Sequence, residues 1–88
     1  MSQDLKLRLG KIKVDEKDVW DLRLMTAILA ECIVLNVDRL EYSRMWVYTV
    51  VCPRFDRLVD GEMVPEYRAW LSKNSLGYVT VEKLEKVT

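Results

Sequence analysis

The sequence contains no histidine, and among its 88 residues glycine (three), proline (two), cysteine (two) and phenylalanine (one) are all scarce. Each shortage removes a class of chemistry. Without histidine there is no imidazole acid or base, no histidine metal ligand, and no Ser–His or Cys–His nucleophile. The glycines stand alone at positions 10, 61 and 77, so no glycine-rich phosphate loop is present. Cys32 and Cys52 lack a CxxC spacing and are too few for a disulfide framework or a four-ligand zinc site. They read as buried free thiols in a reducing cytoplasm, with a disulfide as the minor alternative. Arg54 close to Cys52 would favour a thiolate, but a buried thiol at a strand end is the plainer reading. The acidic neighbours Asp15/Asp18 and Asp60/Glu62 suit helix capping and turn chemistry better than paired-carboxylate catalysis. The expectation is a protein that is not an enzyme, with no metal and no cofactor.

An excess of charge of one sign is lacking too. Fourteen Lys and Arg balance fourteen Asp and Glu, and eight of each fall in the first 44 residues. A neutral chain does not generate the positive field of a general duplex binder. The amino terminus is charged and has no apolar signal-like run, and the longest nearly apolar stretch, Leu24 to Leu35, is interrupted by Thr26 and Glu31. That stretch is too short to span a bilayer, so a cytoplasmic protein is expected.

What the sequence does have is apolar surface: half of its residues are hydrophobic, with three Trp and four Tyr. One domain over 1–88 this small has a thin core, and apolar surface that cannot be hidden inside is usually hidden against a partner. A homo-oligomer is therefore expected.

The pattern along the chain changes period several times. Leu5, Leu7 and Leu9 alternate with Lys6 and Arg8, and after Gly10 the apolar positions shift to Ile12 and Val14. That predicts a bulged strand over residues 4–14. Asp15 suits a helix N-cap, with Glu16 and Asp18 in the favoured first turn. Leu22, Met25, Leu29, Cys32 and Ile33 then predict one helix over 16–34, apolar around much of its girth and so buried, with Asn36 ending it in left-handed geometry. Residues 37–43 read as a polar strand or extended lead-in. Residues 45–52 are β-branched or aromatic almost throughout and read as a central strand ended by Pro53. Residues 66–72 and 78–84 read as the last two strands, after a connection with a turn at Asp60-Gly61. The predicted fold is α+β: one buried helix on a mainly antiparallel sheet of four to five strands, in the order strand, helix, then strands.

Two groups of side chains are candidates for binding. The basic row Lys6, Arg8, Lys11 and Lys13 would share much of one strand face, suited to phosphates or a single strand of nucleic acid. A solvated or lysine-guarded edge explains the same row without a ligand. Arg44, Trp46, Tyr48, Arg54, Tyr67, Arg68 and Trp70 mix aromatic rings with guanidinium groups, the composition of interface hot spots, although core packing claims some of these rings. The expected function is a non-catalytic binding protein, a small oligomeric accessory or inhibitor protein acting on a protein target. Phage-type accessory proteins share this size and character, which is an analogy and not a derivation. One alternative is an oligomer that sequesters a nucleotide-like anionic small molecule. The other is single-stranded nucleic-acid binding through the basic amino-terminal strand.

Overall fold

Strand β1 (Leu9–Asp15) is the middle of the molecule, although it comes first in the chain. The computed structural model describes residues 6–59 and 61–87. After β1 come two short helices, α1 (Glu16–Val19) and α2 (Leu22–Leu29), and then four strands: β2 (Ile33–Leu40), β3 (Met45–Val51), β4 (Glu66–Lys73) and β5 (Val79–Lys86). They form one sheet in the order β2-β3-β1-β4-β5. Its pairings are antiparallel except β1 with β4, which run parallel. The α+β class is thus seen, while the mainly antiparallel sheet becomes a mixed one of five strands.

The single buried helix is corrected to two short ones. The chain turns at Trp20, and Asp21 starts afresh, accepting from the backbone N–H groups of Arg23 and Leu24 at 3.1 and 3.2 Å. Asp15 caps α1 as expected, accepting from Lys17 N–H at 3.0 Å. Two acidic caps six residues apart make two helices where apolar periodicity alone suggested one. Neither helix is buried all round. In α2 only Met25 and Ile28 are buried, and Leu22 stands 80% exposed.

The helix also ends earlier than its apolar stripe. Ile33, Val34 and Leu35 belong to β2, where β-branched side chains fit the pleat better than a helix. Asn36 lies within that strand, and among the described residues the left-handed non-glycine is Arg44 (φ 53°), in the β2–β3 turn.

Gly10 is not a bulge. The β1–β3 register runs unbroken from Leu9↔Val51 to Asp15↔Met45. Gly10 is buried because two rings lie on it: a Cβ there would meet Phe55 and Tyr67 ring carbons at 2.7 Å. Those rings stack with centroids 4.0 Å apart and planes 8° from parallel. Strand pairing is irregular elsewhere, at Leu35 in β2 and Glu82 in β5. Lys6, Leu7 and Arg8 of the expected first strand lie ahead of β1, and its residues 4 and 5 fall outside the described residues.

One face of the sheet carries the helices. Ile12 and Val14 of β1, Val50 of β3 and Tyr67 of β4 meet Met25 and Ile28, with Phe55 and Cys52 closing the cluster and Val81 and Leu84 of β5 packed against it. Helix α2 lies over β5, and α1 lies over β1 and β3. Strand β2, at the opposite edge from β5, is exposed along all eight residues. Among the described residues no helix is long and apolar enough to cross a membrane.

Candidate functional site

The predicted basic row is divided by the fold. Lys11 and Lys13 sit on the helix-free face of β1, both exposed. Lys13 is paired with Glu66 across the parallel ladder at 3.0 Å. Arg8 is half-buried and turns inward, its Nη1 donating to the Phe55 carbonyl at 2.6 Å. Lys6 is exposed ahead of the strand. Alternation from Lys6 to Lys13 suggested one charged face, but the strand begins only at Leu9.

The aromatic–arginine group is dispersed over five places. Tyr67 is core, its ring on Phe55 and its hydroxyl accepting from Asp56 N–H at 3.0 Å. Trp46 and Tyr48 lie half-buried on the helix side of β3, as their register with Val14 and Ile12 requires. Burial raises the pKa of the Tyr48 phenol above its ordinary value. Trp46 meets Trp20 edge-to-face at 6.4 Å, and its indole Nε1 is buried with no acceptor. Arg44 is exposed in the β2–β3 turn, where its carbonyl receives the Glu16 N–H at 2.9 Å and ties α1 to that turn. Arg54 is exposed beyond the end of β3.

Arg68 and Trp70 alone stay together as a surface pair. They are two residues apart on β4, hence on the same helix-free face. The Arg68 guanidinium carbon lies 4.6 Å from the Trp70 ring centroid, the Lys83 ammonium 5.4 Å from it, and the indole Nε1 donates to Glu85 at 2.7 Å. A tryptophan held by cations and a carboxylate while remaining 40% exposed is a rigid, amphipathic contact.

No protein-family model, no curated protein and no solved structure matches the chain. The surface must therefore be read from its own chemistry.

The feature that sequence reasoning missed is β2. Residues 37–43 looked like a polar lead-in, and the apolar residues before them were assigned to a helix. In the fold, Ile33, Val34, Leu35, Val37 and Leu40 line the outer strand of the sheet, all exposed. The available signal was the β-branched run beginning at Ile33. The backbone of β2 has a definite phase. Cys52 N–H donates to Arg8 on the β1 side of β3. By the alternation of an antiparallel ladder, the odd-numbered residues of β3 therefore bond β2. Their partners are Asn36, Asp38 and Leu40, so the backbone groups of Val37 and Arg39 point outward from the sheet. Arg39 is tied back to Glu16 at 2.9 Å, and the Asn36 amide donates to Asp38 at 2.8 Å.

Proposed function

We propose that the chain is a non-catalytic binding protein that self-associates through β2 and acts on a protein target. The observation that carries this reading is the largely apolar edge strand, exposed at all eight residues, with outward backbone groups at Val37 and Arg39. Soluble domains blunt such edges or cover them, because an open apolar edge pairs with any extended chain.

A second copy fits this edge. Antiparallel pairing about a twofold axis through Val37 brings outward-facing backbone against outward-facing backbone. It also sets Asn36 of each copy opposite Asp38 of the other, repeating the amide–carboxylate hydrogen bond present within β2. The apolar side chains of β2 would then lie within one continuous sheet, with Arg68 and Trp70 of both copies on its helix-free side. That paired Trp–Arg surface suits a protein target, since tryptophan and arginine dominate interface hot spots.

The anionic-ligand and nucleic-acid readings draw less support. Lys13 is engaged with Glu66 and Arg8 with a backbone carbonyl, which leaves Lys6 and Lys11 as the exposed remainder of the basic row.

Light scattering behind a sizing column tests the proposal. A mass of twice the 10.4 kDa chain is expected. A mass of one chain at every concentration would overturn self-association. A nucleotide panel that leaves the melting temperature unmoved is expected as well, because any ligand bound by the folded state alone must raise it.

A further inference from the structure

Sequence alone favours free thiols at Cys32 and Cys52 over a disulfide, and the fold brings the two residues together. Ile33 pairs with Val51 across β2 and β3, and Cys32 and Cys52 are the next residues along the same antiparallel register. The Cys52 N–H points to Arg8 on the β1 side, and the Cys32 N–H bonds Leu29 within the helix turn. Neither amide is spent between the two cysteines, so they occupy a non-hydrogen-bonded antiparallel position. At such a position the Cα atoms approach to about 4.5 Å. That lies inside the roughly 4.4–6.8 Å range a disulfide spans. The Cys32 S–H donates to the Ile28 carbonyl at 3.8 Å.

The surroundings suit an exchange reaction. Both cysteines border a cleft of about 250 Å³ between the end of α2, β5 and the end of β3, together with Glu31, Arg54 and apolar residues of these elements. Cys32 is half-buried and Cys52 buried, and the cleft is the open side that both border. The Cys32 S–H, the Arg54 N–H and the Arg54 guanidinium all favour the Cys52 thiolate, whose pKa falls to about 7. The Cys32 pKa moves up, because its proton is held by Cys52 and because burial opposes its charge.

We infer that Cys32 and Cys52 form a redox-active dithiol site that exchanges with small disulfides admitted to this cleft and closes to a cross-strand disulfide. The thiolate of the pair attacks one sulfur of the small disulfide, forming a mixed disulfide and expelling one thiolate. The second cysteine gives its proton to that leaving thiolate and attacks the protein sulfur of the mixed disulfide. This breaks the mixed bond and expels the second thiolate, which takes a proton from water. The protein loses two electrons and two protons, and the small disulfide is reduced to two thiols. Arg54 at the cleft gives carboxylate-bearing disulfides the advantage over neutral ones.

The test uses the full chain, folded, in buffers set by oxidised and reduced glutathione. Intact mass should show loss of two hydrogens with no retained glutathione. Peptide mapping should join Cys32 to Cys52, free thiols should fall from two per chain to none, and dithiothreitol should restore both. Cys32→Ser, checked for folding by its melting curve, should stop at the mixed disulfide on Cys52. Oxidation of the wild-type chain should raise its melting temperature, as a cross-link does when it fits native geometry. Glutathione adducts without ring closure, bonds only between chains, or a ring that forms only in denaturant would each overturn the inference. Ring closure within one chain does not depend on the association state, so failure here and failure at β2 are separable.

Discussion

The two edges of the sheet are built on opposite plans. Strand β5 carries Glu82, Lys83, Glu85 and Lys86, is distorted at Glu82, and has α2 lying over it. Charge, irregularity and cover are the usual defences of an edge that must stay single. Strand β2 shares the irregularity, at Leu35, and carries Asp38 and Arg39, but its other exposed side chains apart from Asn36 are apolar: Ile33, Val34, Leu35, Val37 and Leu40. Helix α2 ends at Leu29 and covers the β5 half of the sheet, so nothing in the described residues shields β2 as it shields β5. Under the proposed self-association, the bare edge is the one that pairs.

The most direct way to break this contrast is to charge β2. Val37→Lys places two ammonium groups face to face at the proposed twofold axis and should weaken association by roughly 100-fold, about 2.8 kcal/mol. Sedimentation across a dilution series would read this. The matching change on the guarded edge, Glu82→Lys, should leave the mass unchanged; equal loss from both would mean that the edges do not differ. A core substitution then separates folding from pairing. Gly10→Ala drives a methyl group into the Phe55–Tyr67 stack and should cost about 1–3 kcal/mol of stability in denaturant melts.

A smaller effect is expected beside β2. The buried indole N–H of Trp46 has no acceptor, and Trp46→Phe removes that orphan while retaining an aromatic ring. Thermal melts should show no loss, or a gain of up to about 1 kcal/mol. The smallest effect belongs to the β5 side, where Lys86 bonds Glu62 at 2.7 Å and Glu62 also accepts from Val59 N–H at 3.0 Å. The Lys86 ammonium and that N–H lower the Glu62 pKa below its ordinary 4.5, and the carboxylate raises the Lys86 pKa above 10.5. The Glu62 contribution is therefore present above pH 4.5 and lost as pH falls through its lowered folded value. The Lys86 contribution is present below pH 10.5 and lost as pH rises through its raised folded value. Both groups are exposed, so the melting-temperature deficit of Glu62→Gln should be slight at neutral pH and vanish in acid.

Much of the architecture was legible because it rests on local patterns. The Val- and aromatic-rich run at 45–51 is an inner strand, Asp15 caps a helix, and the last two strands fall close to their expected places. What stayed hidden depended on neighbours distant in sequence. Apolar periodicity from Leu22 to Ile33 fits a helix, and only the antiparallel partner β3 shows that Ile33 onward is strand. Gly10 mimicked a bulge because Phe55 and Tyr67, which need its bare Cα, lie more than forty residues away. Arg8 alternates with Lys6 across Leu7, yet a carbonyl of the β3–β4 connection draws it inward. The Cys32–Cys52 neighbourhood had no local signal, since it exists only once β2 and β3 are in register.

The central place of β1 has a consequence for how the chain reaches this structure. Strands β2 and β3 close over the short turn at 41–44, and β4 and β5 over the one at 74–78, so each hairpin can form on microsecond timescales from its own sequence. Within the sheet the two hairpins are joined only through β1, which must find β3 on one side and β4 on the other, across long stretches of intervening chain. Closing such loops is the slow part of folding. Until β1 docks, both of its future neighbours present open flanks as adhesive as β2 itself. The interval before its arrival is therefore when the molecule is most exposed to pairing with the wrong chain.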